Sequence, residues 1–290
     1  MKISQRIRDT VKGWLFLLPS AGGAGLFYFL PFGVIAYYAM IDSPIRRNFV
    51  WFNNFKNVLT NMAFQQGARN TLLFSAIAVP LAVILAMMLA AMLESKIPGK
   101  SIFRTFFLSP LMVPVASIVL IWQVIFHYNG ALNEVLVNLG ITRIDWLKSN
   151  WALAVVVLLF LWKNLGYNMI LFMAAYNNMP NDLIEVAKVE GASPVYTFFH
   201  IKLRYLSPTI LFVTILSLIN SFKVFREVYM LTGDYPVDTL YMLQHFMNNM
   251  FRSLDYQKLS AAAIIMAIVM IIVIAVLFIT ENRFGKDVEG

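Results

Sequence analysis

The sequence predicts an all-α membrane protein with about six transmembrane helices, and three observations carry that expectation. Hydrophobic residues make up 60% of the 290 residues and charged residues only 13%, against roughly 25% charged in an average soluble domain. A globule of this size has no interior large enough to hide the surplus, so lipid is the implied solvent. The apolar residues gather into six stretches, each near the ~20 residues that a helix needs to cross a ~30 Å hydrocarbon core. Finally, the basic residues stand between those stretches rather than in one patch. The formal charge of +8 therefore reads as membrane topology and not as a nucleic-acid surface. With no cysteine in the chain, disulfides, thiolate metal sites and a cysteine nucleophile are excluded.

The first stretch, 14–41, follows Lys2, Arg6, Arg8 and Lys12. It is far longer than the roughly 7–15 apolar residues of a signal-peptide core, so it is expected as a retained span. The remaining spans are expected at 71–93, 103–126, 151–176, 206–231 and 259–280. Trp14, Trp51, Trp146, Trp151, Tyr176 and Tyr256 sit at their ends, where amphipathic rings meet both lipid and water. Pro19, Pro31, Pro80, Pro110 and Pro114 fall inside spans, so kinked helices with packed neighbours are expected. The run 48–61 is too short and polar to cross and is expected to lie along the outer interface as a short helix.

An even number of spans places both termini on one side. Lys96, Lys100, Arg104, Lys188, Lys202, Arg204, Arg283 and Lys286 join the N-terminal basic cluster on the same side as the termini and outnumber the basic residues opposite. By the positive-inside rule that side is the cytoplasm. No solenoid repeat or linker divides the chain, so residues 1–290 are expected as one transmembrane domain.

The loop 177–208, between spans four and five, differs from the others. Asp182 followed by Glu185 has the form of a capping box after Pro180. Gly191 stands where that helix should end, and Ser193-Pro194 restarts a helix with an N-cap and a first-turn proline. A helix–turn–helix on the cytoplasmic face is the result. By capping alone it could be an ordinary amphipathic connector.

The order of residues in this loop says more. Glu185, Ala187, Gly191 and Ala192, followed by Phe198, Ile201, Leu203, Leu206 and Pro208, resemble the "EAA" signature loop of ABC-importer permeases. In that family Glu-Ala-Ala precedes three residues, a glycine and an Ile-x-Leu-Pro block. The runs at Leu15–Ser20, Ala68–Ser75, Gly99–Pro114 and Val224–Pro236 match the same family in kind and order. The resemblance covers nearly the whole chain and is nearest to the carbohydrate-uptake branch, the relatives of the maltose and glycerol-3-phosphate permeases. Val186 replaces the second alanine of the signature, Arg204 its proline, and Gly233-Asp234-Tyr235-Pro236 a Gly-Gly-Pro outer turn.

The resemblance implies a type I ABC importer fold in the cytoplasmic membrane of a bacterium or archaeon. It implies a homologous second permease subunit, two cytoplasmic ATPase subunits and an extracytoplasmic solute-binding protein as partners. It also implies that Glu185, Ala187, Gly191 and Ala192 couple this chain to the ATPase. No cofactor is expected in the chain itself. It has no GxxxxGK[ST] loop, so ATP and Mg would be bound by the ATPase partner. No catalytic residues and no metal site are expected, since His127, His200 and His245 are isolated in sequence.

Polar residues at membrane depth are costly and usually face a cavity or a partner. Asn164 and Asn168 are four residues apart on one helix face, flanked by Lys163 and Tyr167. In span five, Thr214, Ser217 and Ser221 form a stripe beside Asn220 and Lys223. Asn164, Tyr167, Asn168, Asn220 and Lys223 are the expected substrate-path residues. Amides, hydroxyls and rings suit a neutral sugar, here expected to be an oligosaccharide, whereas Lys223 would also attract an acidic or phosphorylated compound. The serines and Thr214 serve equally well as bonds between helices. Arg226 and Glu227 are expected near the outer end, pairing with other charges. A stand-alone secondary transporter is the rival reading, but no paired broken helices of an inverted repeat are visible.

Overall fold

The computed structural model describes residues 2–94 and 99–285. Lys96 and Lys286, counted among the inner basic residues, lie outside the described residues. Among the described residues there is no β-strand, only an isolated bridge between Ile41 and Phe49. Six helical segments are long and apolar enough to cross a membrane: Asp9–Ala39, Met62–Glu94, Val115–Asn138, Ala152–Asn177, Ser207–Thr232 and Tyr256–Glu281. The chain is a multi-pass membrane protein.

It divides into two compact units, one comprising 1–61 with 247–269 and the other 62–246 with 270–290. In the first unit, α1 (Lys2–Ala24) runs through a π-helical turn into α2 (Leu30–Ala39). Pro31 lies in the first turn of α2, directly after the π-helical turn, and such local adjustments are how membrane helices accommodate the carbonyl that a proline leaves unpaired. The short α3 (Asn53–Leu59) occupies only part of the run expected to be helical. Its buried Asn54 donates to the carbonyls of Ala39 and Ile41 at 3.0 and 2.8 Å, fastening α3 beneath the end of α2.

The second unit holds the core. Helix α4 (Met62–Glu94) begins nine residues before the expected span and presents Ala78, Ala82, Ala86 and Ala90, all fully buried. Small side chains at this i, i+4 spacing let another helix come close.

The stretch expected as a single third span is broken instead. It forms α5 (Lys100–Met112) and α6 (Val115–Phe126), parted at Val113, whose backbone is extended. The cause is Pro114, whose ring disfavours the helical region for the residue before it. A short α7 (Ala131–Asn138) follows.

Helix α8 (Ala152–Asn177) is the central element, packing Val156, Phe160, Met169 and Phe172 against α4. It also touches α5 so closely that a Cβ on Gly166 would lie 1.8 Å from the carbonyl oxygen of Phe107.

After α8 come α9 (Asn181–Val189), α10 (Pro194–Thr197) and, beyond a π-helical turn, α11 (Leu203–Tyr205). The expected fifth span is also divided, into α12 (Ser207–Phe222) and α13 (Phe225–Thr232), with Lys223 ending the first. Ser75 on α4 and Ser221 on α12 share a 2.8 Å hydrogen bond. Helix α14 (Leu243–Arg252) and the long α15 (Tyr256–Gly285) complete the chain.

Candidate functional site

Two places bear on function, the loop that leads from α8 to α12 and a polar cavity in the second unit. In the loop, α9 starts one residue before the expected capping box. Its N-cap is Pro180, with no side-chain cap bond, and Asp182 lies in the first turn. Pro180 is extended and so fixes the start, which leaves Asp182 to act through the helix dipole rather than as a cap.

The C-terminal end follows expectation closely. Gly191 has φ +79°; its N–H donates to Lys188 at 3.1 Å and the N–H of Ala192 to Ala187 at 2.9 Å. These are the two bonds of a Schellman motif. Ser193 then accepts from the Tyr196 N–H at 3.2 Å, opening α10.

Within this loop Ala187 is buried and Glu185 exposed. The loop is anchored below the spans. Lys202 pairs with Glu94 at the end of α4 at 3.0 Å and lies over the Tyr176 ring, while the Tyr205 hydroxyl donates to the Asn178 carbonyl at 2.8 Å. Leu183, Val186 and Val189, three residues apart on α9, are 44%, 56% and 89% exposed. They stand outside the membrane-crossing segments.

The cavity lies where α12 gives way to α13 and has a volume of about 460 Å³, within the usual range for small-molecule sites. Its polar wall is Lys163 and Asn164 from α8 with Asn220, Lys223, Arg226 and Glu227; Leu111 and Phe160 supply apolar surface. Asn164 donates to the Phe160 carbonyl at 2.8 Å, and its free oxygen accepts from the Asn220 amide at 3.0 Å. Lys163 donates to the carboxylate of Glu227, a side chain only 4% exposed, and the Arg226 guanidinium stands 3.7 Å from the same oxygen. Lys223 caps α12, where a cation is favoured by the carbonyl end of the helix.

The structure thus brings together Asn164, Asn220 and Lys223 from the expected path. Asn168 and Tyr167 are elsewhere. Asn168 is 1% exposed and donates to Ser217 at 2.9 Å. Tyr167 is exposed but is not among the residues lining the cavity. Lys163 and Glu227 were not among the expected path residues, although opposite charges at membrane depth in two different spans were the signal for them.

At the start of α14, His245 is fully buried and its Nδ1 accepts from the Met242 N–H at 3.1 Å. Burial pushes its pKa down to about 4, against a smaller upward pull from Asp234. It is a neutral structural cap.

Residues 59–289 match the family described as "Binding-protein-dependent transport system inner membrane component". Among curated relatives, the sulfoquinovosyl glycerol transport system permease protein SmoG of Agrobacterium fabrum is 30% identical, over 89% of this chain and 86% of its own. The trehalose/maltose transport system permease protein MalF of Thermococcus litoralis is 27% identical, over 97% of each chain. A chain in the crystal structure of a bacterial ABC transporter that imports the acidic polysaccharide alginate superimposes with a TM-score of 0.83. It is 20% identical, covering 98% of this chain and 99% of that one, a likeness of fold.

Proposed function

The chain belongs to the family of inner membrane components of binding-protein-dependent transport systems, and from that membership we propose that it forms half of the translocation path of an ABC importer for carbohydrate. A homologous permease supplies the other half. Two cytoplasmic ATPase subunits bind ATP and Mg, and an extracytoplasmic binding protein delivers the solute. Both termini face the cytoplasm, as the distribution of Lys and Arg favours. The substrates named for the relatives, sulfoquinovosyl glycerol and trehalose or maltose, support a carbohydrate.

The observation that carries this reading is α9. It is a short helix closed by two backbone bonds at Gly191 and Ala192, and the loop that carries it is tied at its far end to α4 through Lys202 and to the end of α8 through Tyr205. Its exposed apolar ridge of Leu183, Val186 and Val189 is the kind of surface that marks a protein contact. Glu185, Ala187, Gly191 and Ala192 belong to the part that docks in the ATPase. A stiff helix in a partner's cleft moves as a body, so closure of the ATPase dimer shifts α8 and α12 and turns the cavity outward.

Purification of this chain by an affinity tag from its own membranes tests the reading. A second permease and an ATPase should accompany it, and sugar uptake into reconstituted vesicles should need ATP. Uptake driven by this chain alone, without either partner, would overturn it in favour of a secondary transporter.

A further inference from the structure

The cavity between α8 and the α12–α13 junction holds more positive charge than a neutral sugar can use. Lys163, Lys223 and Arg226 face a single carboxylate, Glu227, and three cations against one anion leave a surplus of two. The carboxylate is already committed. Lys163 donates to Glu227 Oε1, and Arg226 stands 3.7 Å from that oxygen with its side chain 63% exposed. The Lys223 ammonium has no hydrogen-bond or ion-pair partner among the described residues.

All four groups lie inside segments that cross the membrane. Unpaired charge there is costly, and its presence marks a pathway. Apolar walls such as Leu111 and Phe160 lower the local dielectric and strengthen any ionic contact. Beside the cations, Asn164 and Asn220 form an amide pair at 3.0 Å, which offers hydrogen bonds to hydroxyl groups. The wall therefore combines a hydroxyl-binding side with an anion-binding one.

We infer that the transported carbohydrate bears an anionic group (a carboxylate or a phosphate ester) and that Lys223 selects for it, with Arg226 as the second cation. Lys163 is held by Glu227 and serves to keep that carboxylate from cancelling the other two. The inference rests on the carbohydrate-importer reading and narrows it.

The test uses the intact complex of both permeases and the ATPases, without the binding protein, so that the preference measured belongs to the membrane subunits. Equilibrium binding is compared for matched pairs: a uronate oligosaccharide against its carboxyl-reduced form, and a sugar phosphate against the free sugar. The anionic member of at least one pair should bind more tightly by about tenfold or more, as expected for a hydrogen bond to a charged group. Whichever pair responds identifies the acid. Lys223→Met should abolish the preference and Lys223→Arg should keep it, which separates loss of charge from loss of folding. Equal binding of acidic and neutral members by the wild type overturns the inference but leaves the importer reading intact, as does an unchanged preference in Lys223→Met. Failure of every sugar both to bind and to be taken up by the complete importer removes the carbohydrate reading, and this inference with it.

Discussion

The side-chain amide of Asn168 donates to the hydroxyl of Ser217 across 2.9 Å, and both residues are almost wholly buried. The bond joins α8 to α12. One turn earlier on α8, Asn164 makes the comparable bond to Asn220, but at the wall of the cavity. Two amides on one helix face thus have different surroundings. Asn168→Ala should lower the thermal stability of the purified complex by about 0.6 kcal/mol and by no more than about 1.7 kcal/mol, the average and the maximum for such bonds between membrane helices. Substrate preference should stay unchanged. Ser217→Ala should cost a similar amount, and the double variant should cost less than the two together, as for any shared contact. A changed substrate preference in Asn168→Ala would place this residue in the path after all.

Gly166 fixes how closely α8 and α5 approach. A Cβ there would meet the Phe107 carbonyl oxygen at 1.8 Å and its carbon at 2.4 Å, and backbone cannot swing aside as a side chain can. Gly166→Ala should therefore destabilise by about 1–3 kcal/mol, as overpacking generally does, and Gly166→Val by more. Gly67 is the milder control, since its nearest neighbours would stand at 3.0–3.1 Å. Yield and thermal midpoint of the two alanine variants should rank Gly67→Ala above Gly166→Ala.

Local chemistry made much of this structure legible in the sequence, and distance along the chain hid the rest. Gly191 and Ser193-Pro194 announce a helix end and a new start within a few residues, and both appear where expected. The break before Pro114 obeys an equally local rule, yet the continuous apolar run concealed it. The start of α9 was displaced by Pro180, whose extended backbone acts before Asp182 can cap. By contrast, Lys163 and Glu227 are 64 residues apart, and no periodicity connects them. Nor does the shared face of Asn164 and Asn168 reveal that α12 closes over one and leaves the other at a cavity. That depends on where α12 breaks, and the break at Lys223 has no proline or glycine to mark it.

His245 gives the second unit a pH dependence of definite sign. Its pKa falls from 6.5 to about 4 on folding, because burial disfavours the charged ring. The unfolded chain therefore takes up a proton before the folded one does. The stability contributed by neutral His245 is complete above pH 6.5 and is lost as pH falls from there to about 4, by up to about 3 kcal/mol in all. Thermal midpoints of the complex between pH 7.5 and 4.5 should show this decline. His245→Asn, whose Oδ1 can still accept from the Met242 N–H, should flatten it; an equally steep decline in that variant would assign the effect to other groups.

The absence of cysteine makes any introduced thiol a clean reporter of topology. Lys188 is exposed on α9, and Tyr235 is 80% exposed beyond α13. In intact cells, Tyr235→Cys should react with an impermeant maleimide, and Lys188→Cys should react only after the membrane is opened. Labelling of position 188 from outside would invert the proposed orientation.

Gly191 separates backbone strain from docking. Its φ of +79° lies in the left-handed region, yet a Cβ there would meet nothing within 4 Å. Within this chain, then, a substitution costs conformation and not space. For an ordinary residue that cost is about 1–2 kcal/mol, enough to loosen the turn that joins Ala192 to Ala187. Asparagine enters this region more readily than other side chains. Gly191→Asn should consequently keep the turn, whereas Gly191→Val should lose it. If α9 seats in a close-fitting ATPase cleft, the empty space beside Gly191 is where the partner lies, and even the asparagine variant should dock poorly. Transport and ATPase co-purification, measured from membranes with equal amounts of each variant, distinguish the cases. Loss in both variants indicates a surface filled by the ATPase, and loss in Gly191→Val alone indicates that only the turn matters. Full transport and full ATPase recovery by Gly191→Val would remove α9 from the coupling path.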